Sequence, residues 1–273
     1  MPELPEVEVT RLGITPYLVG SKVDSIVVRV PKLRWAIPRQ LDQIEGQVIQ
    51  KVERRAKYLI VSVETGTVLI HLGMSGSLRV LEELVLPKKH DHLDLLLCSG
   101  KVLRYNDPRR FGAWLWYEKG EIIPVFQALG PEPLSVEFTY QYAISRSAGK
   151  RLSIKQFIMN SKNVVGVGNI YANESLFKSQ VHPCRAANSL TPKEWQRLVK
   201  KIRSVLTCSI RQGGTTLNNF TRVDGGPGRF NRALKIYGRT GKPCFYCGVT
   251  IESKKVGQRS TFFCPRCQPI CSS

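Results

Sequence analysis

Gly130-Pro131-Glu132-Pro133-Leu134 separates two stretches of different texture in this 273-residue chain, and the fold is read outward from it. Two prolines in five residues interrupt helix and strand alike, so the segment reads as a domain boundary. Before it, apolar runs at 23–30, 48–52, 58–63, 68–72, 78–81, 93–97 and 102–105 are short, rich in β-branched residues and punctuated by Thr65-Gly66 and Ser99-Gly100. That pattern predicts a sheet sandwich. A helix precedes it, from the spacing of Val7, Val9, Leu12 and Ile14. Beyond the boundary the spacing is helical, clearest in Leu198, Ile202, Val205, Leu206 and Ile210. There Thr191 caps, Pro192 takes the first helical position, Glu194 the third, and Gly213-Gly214 stops the helix. The fold class is α+β in two domains.

Charge divides at the same place. The chain carries 41 Lys and Arg against 21 Asp and Glu, a net +20; residues 1–131 hold 18 basic and 15 acidic residues, and 132–273 hold 23 and 6. A basic surface confined to one half reads as a polyanion footprint, because each phosphate neutralised releases condensed counterions. No run of about 18 apolar residues and no hydrophobic leader is present, which disfavours a membrane as the anionic partner. The reading is a soluble, cytoplasmic nucleic-acid-binding protein.

Cys244, Cys247, Cys264 and Cys267 form C-x2-C-x16-C-x2-C. Two tight pairs on facing turns place four thiolates around one Zn²⁺, and a closed four-cysteine shell leaves no position for substrate, so the zinc is structural. Two disulfides are the competing reading and suit an oxidising compartment. Cys98, Cys184, Cys208 and Cys271 are isolated and read as small buried apolar residues.

Met1-Pro2-Glu3-Leu4-Pro5-Glu6 opens the chain. Removal of Met1 leaves Pro2 a free secondary amine, and an α-amine with a reference pKa of about 7.7–8.0 is partly neutral at physiological pH, hence a nucleophile. By themselves these residues favour a stiffened helix start, with Glu3 and Glu6 suiting the N-terminus. Lys57, after Arg54-Arg55-Ala56, opens an apolar strand where desolvation and cationic neighbours lower an ammonium pKa, or from which it snorkels to water. His90-Asp91-His92 offers three groups, but on a strand the two histidines share one face and Asp91 takes the other, so phosphate contact is a better reading than a metal. The loops Asn106-Asp107-Pro108-Arg109-Arg110-Phe111-Gly112 and Leu72-Gly73-Met74-Ser75-Gly76 present guanidinium and apolar groups suited to filling a base stack. Val164 through Glu174 joins two helical stretches by a glycine turn, a helix-turn-helix relative whose N–H groups and Asn169 carboxamide suit a phosphate. Asp224-Gly225-Gly226-Pro227-Gly228-Arg229-Phe230 reads either as a loop closing over substrate or as a linker.

Together these motifs resemble the bacterial formamidopyrimidine-DNA glycosylase family, over essentially all of residues 1–268. The resemblance rests on Pro2-Glu3-Leu4-Pro5-Glu6, Arg55-Ala56-Lys57-Tyr58-Leu59, His71-Leu72-Gly73-Met74-Ser75-Gly76, Lys89-His90-Asp91-His92, Asp107-Pro108-Arg109-Arg110-Phe111-Gly112, Gly166-Val167-Gly168-Asn169-Ile170-Tyr171 and Gly257-Gln258-Arg259-Ser260-Thr261. It implies a catalytic β-sandwich domain at 1–131 with a flanking helix, a hinge at 132–134, a helical DNA-binding domain with a helix-two-turn-helix at 135–237, a zinc-binding β-hairpin at 238–268 and a tail at 269–273. It implies a monomer that removes oxidised purines opposite cytosine from double-stranded DNA in the nucleoid, with one structural Zn²⁺ and no redox or nucleotide cofactor. Pro2 is the implied nucleophile and Glu3 its acid/base partner; Lys57 contacts lesion and phosphate, and Arg259 binds phosphate and assists the second elimination. Met74, Arg109 and Phe111 fill the gap left by the flipped nucleotide; His90, Lys155 and Asn169 bind phosphate, joined by Lys150 or Arg151. The chain departs from the family pattern at Val9, in the 224–230 loop and in its tail. The endonuclease VIII branch, which takes oxidised pyrimidines, and a non-catalytic zinc-containing DNA-binding protein are the alternatives; Leu4 and the paired Arg109 and Phe111 favour the purine branch.

Overall fold

The chain is seen in a computed structural model that describes residues 2–215 and 230–270, the side chains of Asn231 and Arg232 aside. Two compact units divide it: Met1–Gln127 with Gln212–Asn231, and Ala128–Arg211 with Arg232–Ser273. The boundary falls before the proline-rich segment because Gly130 N–H donates to Ser161 O and Val165 N–H to Pro131 O, stitching that segment to the second unit. The stretch Gln212–Asn231, expected in the helical domain, groups with the first unit. Backbone and burial explain this: Thr215 N–H donates to a Glu6 carboxylate oxygen at 2.9 Å, Phe230 N–H donates to Gly214 O, and the Phe230 ring is buried. Residues 224–229 of the glycine-rich loop and 271–273 of the tail lie outside the described residues.

The first unit opens with α1 (Leu4–Leu18), followed by β1 (Val23–Val28), β2 (Lys51–Arg55), β3 (Tyr58–Ser62), β4 (Gly66–His71), β5 (Ser77–Leu81), β6 (Asp91–Leu97), β7 (Val102–Asn106), β8 (Ala113–Glu118) and a single turn, α2 (Pro124–Gln127). The strands form two four-stranded antiparallel sheets, β1-β6-β7-β5 and β2-β3-β4-β8. Leu93, Leu95 and Leu103 of one sheet and Leu59, Val61, Val68, Ile70 and Trp114 of the other share a single core, which is the sandwich expected. Strand β8 was not among the expected runs; its buried residues are the small and aromatic Ala113, Trp114 and Trp116. On α1 the buried face runs Leu4, Val7, Ile14 and Leu18 and includes Glu6 and Thr10, whereas Leu12 is 49% exposed. The expected apolar spacing was therefore only partly the core face.

In the second unit α3 (Tyr140–Ser147), α4 (Ile154–Met159), α5 (Asn169–Lys178) and α6 (Pro192–Arg211) precede the hairpin β9 (Glu252–Val256) and β10 (Arg259–Phe263). The Thr191 hydroxyl accepts from Glu194 N–H while Glu194 accepts from Thr191 N–H, the reciprocal cap that Thr191 and Glu194 predict. Helix α5 is buried from Ile170 through Phe177 and packs on α4, α6 and β10. No described helix is long and apolar enough to cross a membrane.

Candidate active site, nucleic-acid surface and zinc centre

Pro2 and Glu3 are buried at the mouth of α1. Glu3 N–H donates to Glu6 Oε2 at 2.8 Å, and Thr215 N–H donates to Glu6 Oε1 at 2.9 Å, so one buried carboxylate fixes both the chain start and Thr215. Sequence reasoning assigned Glu6 only a helix-start role; its second partner is 209 residues away and has no local signal. Further along α1, Glu8 accepts from Arg54 Nε at 2.8 Å, and Arg54 Nη1 donates to Ala56 O at 2.8 Å. Burial pushes Glu8 up, but hydrogen bonds from Arg11 and Arg54 outweigh it and hold the carboxyl below its usual range. This ionised Glu8–Arg54 link fastens α1 to the tip of the β2–β3 hairpin.

Lys57 sits on that tip, before β3 begins, with Arg55 paired to Tyr58 across a two-residue turn. Ala56 there holds φ +55° while buried, a conformation costly for any residue with a Cβ and maintained by the surrounding structure. Opposite Tyr58, at the end of β4, stands His71, with the ring centroids 4.8 Å apart. Burial first, then the Lys57 and Arg34 charges, hold His71 down at about 4, and Gly73 N–H donates to its Nδ1 at 3.1 Å. The ring is neutral at physiological pH, with its proton on Nε2.

The Met74 and Arg109–Phe111 loops share a single buried hub, Asp107. Its Oδ1 accepts from the Ser75 hydroxyl at 2.6 Å and from Arg109 N–H at 3.3 Å; its Oδ2 accepts from Gly112 N–H at 2.9 Å and from the Tyr105 hydroxyl at 3.0 Å. Gly73 is at φ +64°, and a Cβ there would come within 2.4 Å of the Phe111 backbone, so the loops touch. On this rigid base Met74 is half-buried, Phe111 is 43% exposed, and the Arg109 guanidinium lies 4.7 Å from the Phe111 ring centroid. Of the His90-Asp91-His92 trio, His92 is buried against Asp107 O at 2.9 Å, and Asp91 is buried against Arg79, Asn106 and Lys88 N–H. His90 precedes β6 and remains half-exposed, so the three do not converge as metal ligands.

In the second unit Gly168 caps α5 and Asn169, half-buried, is its first residue. Arg259 is exposed and follows the tight turn Gly257-Gln258, both at positive φ, at the start of β10. Three side chains hold this hairpin: Lys155 Nζ donates to Ser260 O at 2.8 Å and Thr261 Oγ1 at 2.7 Å, Asn173 Oδ1 accepts from Phe262 N–H at 2.8 Å, and Gln156 lies against Gly257. Lys155, which the resemblance gives as a phosphate ligand, is thus fully buried and bonded to the strand that carries Arg259. Lys150 and Arg151 are exposed. Glu174, which sequence reasoning did not single out, accepts from the N–H groups of Lys235, Ile236 and Tyr237 at 2.9–3.0 Å and anchors the segment leading to the cysteines.

The four sulfurs of Cys244, Cys247, Cys264 and Cys267 lie within 4.8 Å of one another. The Cys247–Cys264 and Cys244–Cys267 sulfurs are 3.4 and 3.9 Å apart, against about 3.8 Å for a tetrahedron with zinc–sulfur bonds of about 2.3 Å. N–H groups of Tyr246 and Cys267 point at Cys244 and Cys264 sulfurs, as thiolates require. Burial and the neighbouring sulfurs push the Cys267 thiol up, a repulsion that a dication relieves. The donor set fits one structural Zn²⁺. Among the isolated cysteines, Cys98 is exposed and Cys184 and Cys208 are half-buried, so they are not the buried apolar residues expected.

Family models match the formamidopyrimidine-DNA glycosylase N-terminal domain over residues 1–114, its H2TH domain over 129–221 and the zinc finger found in FPG and IleRS over 241–270. The formamidopyrimidine-DNA glycosylase of Photobacterium profundum is 58% identical over 268 residues, 98% of this chain and 100% of that protein. That of Vibrio parahaemolyticus is 56% identical over the same shares. Among solved structures, the MutM (Fpg) protein from Thermus thermophilus superposes with a TM-score of 0.88 at 38% identity, covering 98% of both chains. A Lactococcus lactis Fpg variant bound to Fapy-dG-containing DNA gives 0.91 at 32% identity, covering 98% of this chain and 100% of that one.

Proposed function

The chain belongs to the formamidopyrimidine-DNA glycosylase family, and on that premise we propose that it is a bifunctional DNA glycosylase and AP lyase that excises oxidised purines from duplex DNA. The observation that carries the reading at the site is the buried start of α1: Glu6 grips the Glu3 backbone, and the Glu8–Arg54–Ala56 link ties the same helix to the Lys57 turn. Secure fixing of a chain end serves an N-terminal nucleophile, since termini are otherwise frayed.

The Pro2 nitrogen, freed by removal of Met1, attacks C1′ of the damaged nucleoside. The C1′–base bond breaks, the base leaves with a proton, and Glu3 protonates the ring oxygen so that the sugar opens to an iminium on Pro2. The iminium acidifies the C2′ proton; its removal expels the 3′ phosphate, and a second elimination expels the 5′ phosphate, with Arg259 assisting. Lys57 contacts the lesion and its phosphate. Met74, Arg109 and Phe111 occupy the vacated stack, Arg109 facing the orphaned cytosine, on loops that Asp107 holds. His90, Lys150 and Asn169 contact phosphates. Lys155 acts on the backbone contact through the strand that carries Arg259. Cys244, Cys247, Cys264 and Cys267 would hold one Zn²⁺, which would supply only the cross-link that folds the hairpin. The protein works as a monomer in the cytoplasm, at the nucleoid.

Borohydride trapping on a duplex with 8-oxoguanine opposite cytosine yields a covalent adduct with Met1-processed protein, and none when an uncleaved N-terminal extension blocks Pro2. No adduct from the processed protein sinks the reading. Oxidised pyrimidines are a second substrate class, because one related Lactococcus lactis Fpg structure is of a complex with oxidised-pyrimidine-containing DNA. A stronger adduct on such a duplex would move this protein to that class.

A further inference from the structure

Residues 31–37, which no motif picked out, form a small loop beside the catalytic hairpin. Leu33 is buried in the sandwich core, Leu33 N–H donates to Trp35 O, and Ile37 N–H donates to Pro31 O. The loop is fastened at a functional point: Arg34 N–H donates at 3.1 Å to the carbonyl of Gly112, whose own N–H is held by Asp107 directly after Phe111. Its two large side chains turn outward. The Arg34 guanidinium lies 4.8 Å from the centroid of the Trp35 ring, Trp35 is 40% exposed, and Arg34 is exposed with no hydrogen bond or ion pair from its side chain among the described residues. A solvated guanidinium with no protein carboxylate on it can take an anion from a ligand, and stacking on an indole orients its plane and presents its N–H edge. A second cation stands near, for the Arg34 and Lys57 charges both act on His71. The Asp107 carboxylate, the acid acting on that ring, is already occupied by four donors.

We propose that Arg34, braced by Trp35, is a further DNA-positioning residue that grips a backbone phosphate and, through its link to Gly112, sets the register of the Arg109–Phe111 loop on the duplex. This rests on the glycosylase reading above. A phosphate contact carries no sequence or lesion information, so it contributes equally to damaged and undamaged duplex.

The test measures the affinity of the full-length protein for a duplex with 8-oxoguanine opposite cytosine and for the same duplex undamaged, across salt concentrations. Arg34→Ala is expected to make the slope of log K against log salt shallower by about 0.9, one phosphate's worth, and to weaken both duplexes by the same factor. Arg34→Lys is expected to restore the slope, and Trp35→Ala to weaken binding while keeping it. An unchanged slope in Arg34→Ala, a loss confined to the damaged duplex, or a slope that lysine does not restore overturns the proposal. Arg34→Gln, which keeps the stem, serves if the alanine variant misfolds. Trapping of the wild-type protein on the damaged duplex reports separately on the glycosylase reading.

Discussion

The loops around Asp107 and the hairpin that carries Arg259 solve the same problem by different means. Both present exposed groups from tight turns whose backbone is unfavourable: Arg110 sits at φ +54° in one, Gln258 at +63° in the other. Both are fastened from beneath by a fully buried charged side chain, Asp107 in the first and Lys155 in the second. They differ in what lies below. The Asp107 loops stand on a two-sheet core, whereas β9 is exposed over most of its length and the hairpin is held by α4, α5 and four cysteines. The first is stabilised by burial, the second by a metal and polar clamps.

Zinc removal separates the two most sharply. Stripping the metal with a chelator, or Cys247→Ser, should forfeit about 10 kcal/mol of local folding free energy. Hydrogen exchange is then expected to lose protection over 241–270 and to keep it in the sandwich strands. Loss of protection in both would break the comparison. Asp107→Ala comes next: four donors lose a buried carboxylate acceptor, a cost of about 3 kcal/mol or more. The melting temperature should fall by about 6–12 °C, and excision with it, while the zinc content is unchanged. Glu174→Gln turns an amide towards three backbone N–H groups and should cost about 1–3 kcal/mol, read as local exchange over 235–237.

Acidification perturbs both units without a substitution. His71 in the sandwich and His182 beside Phe263 are both held at about 4, each chiefly by burial. Because their folded pKa values lie below the unfolded value of about 6.5, the unfolded chain binds more protons between those limits, and stability falls as pH drops from about 6.5 towards 4. Denaturant midpoints across that window check it, and His71→Asn should flatten the part reported by the sandwich.

Much of this was legible in the sequence because the signals are local. Two cysteine pairs, the Thr191 to Glu194 cap and most strand runs each declare themselves within a few residues. What was hidden depends on partners far apart in the chain. Glu6 meets Thr215, Glu174 meets residues 235–237, and Lys155 meets Ser260; no local pattern reports such a pairing. Strand β8 was missed for a different reason, since its aromatic residues gave no β-branched run. Lys155 and His92 illustrate the same limit: residue type suggests a surface ligand, and the structure shows each buried with hydrogen bonds inside its own unit.

The central claim is that chemistry begins at the secondary amine of Pro2. Peptide mapping by mass spectrometry of the borohydride-trapped adduct tests it most directly. The account predicts the reduced sugar remnant on the nitrogen of Pro2 in the N-terminal peptide. A remnant on the Lys57 peptide, with Pro2 unmodified, would contradict it.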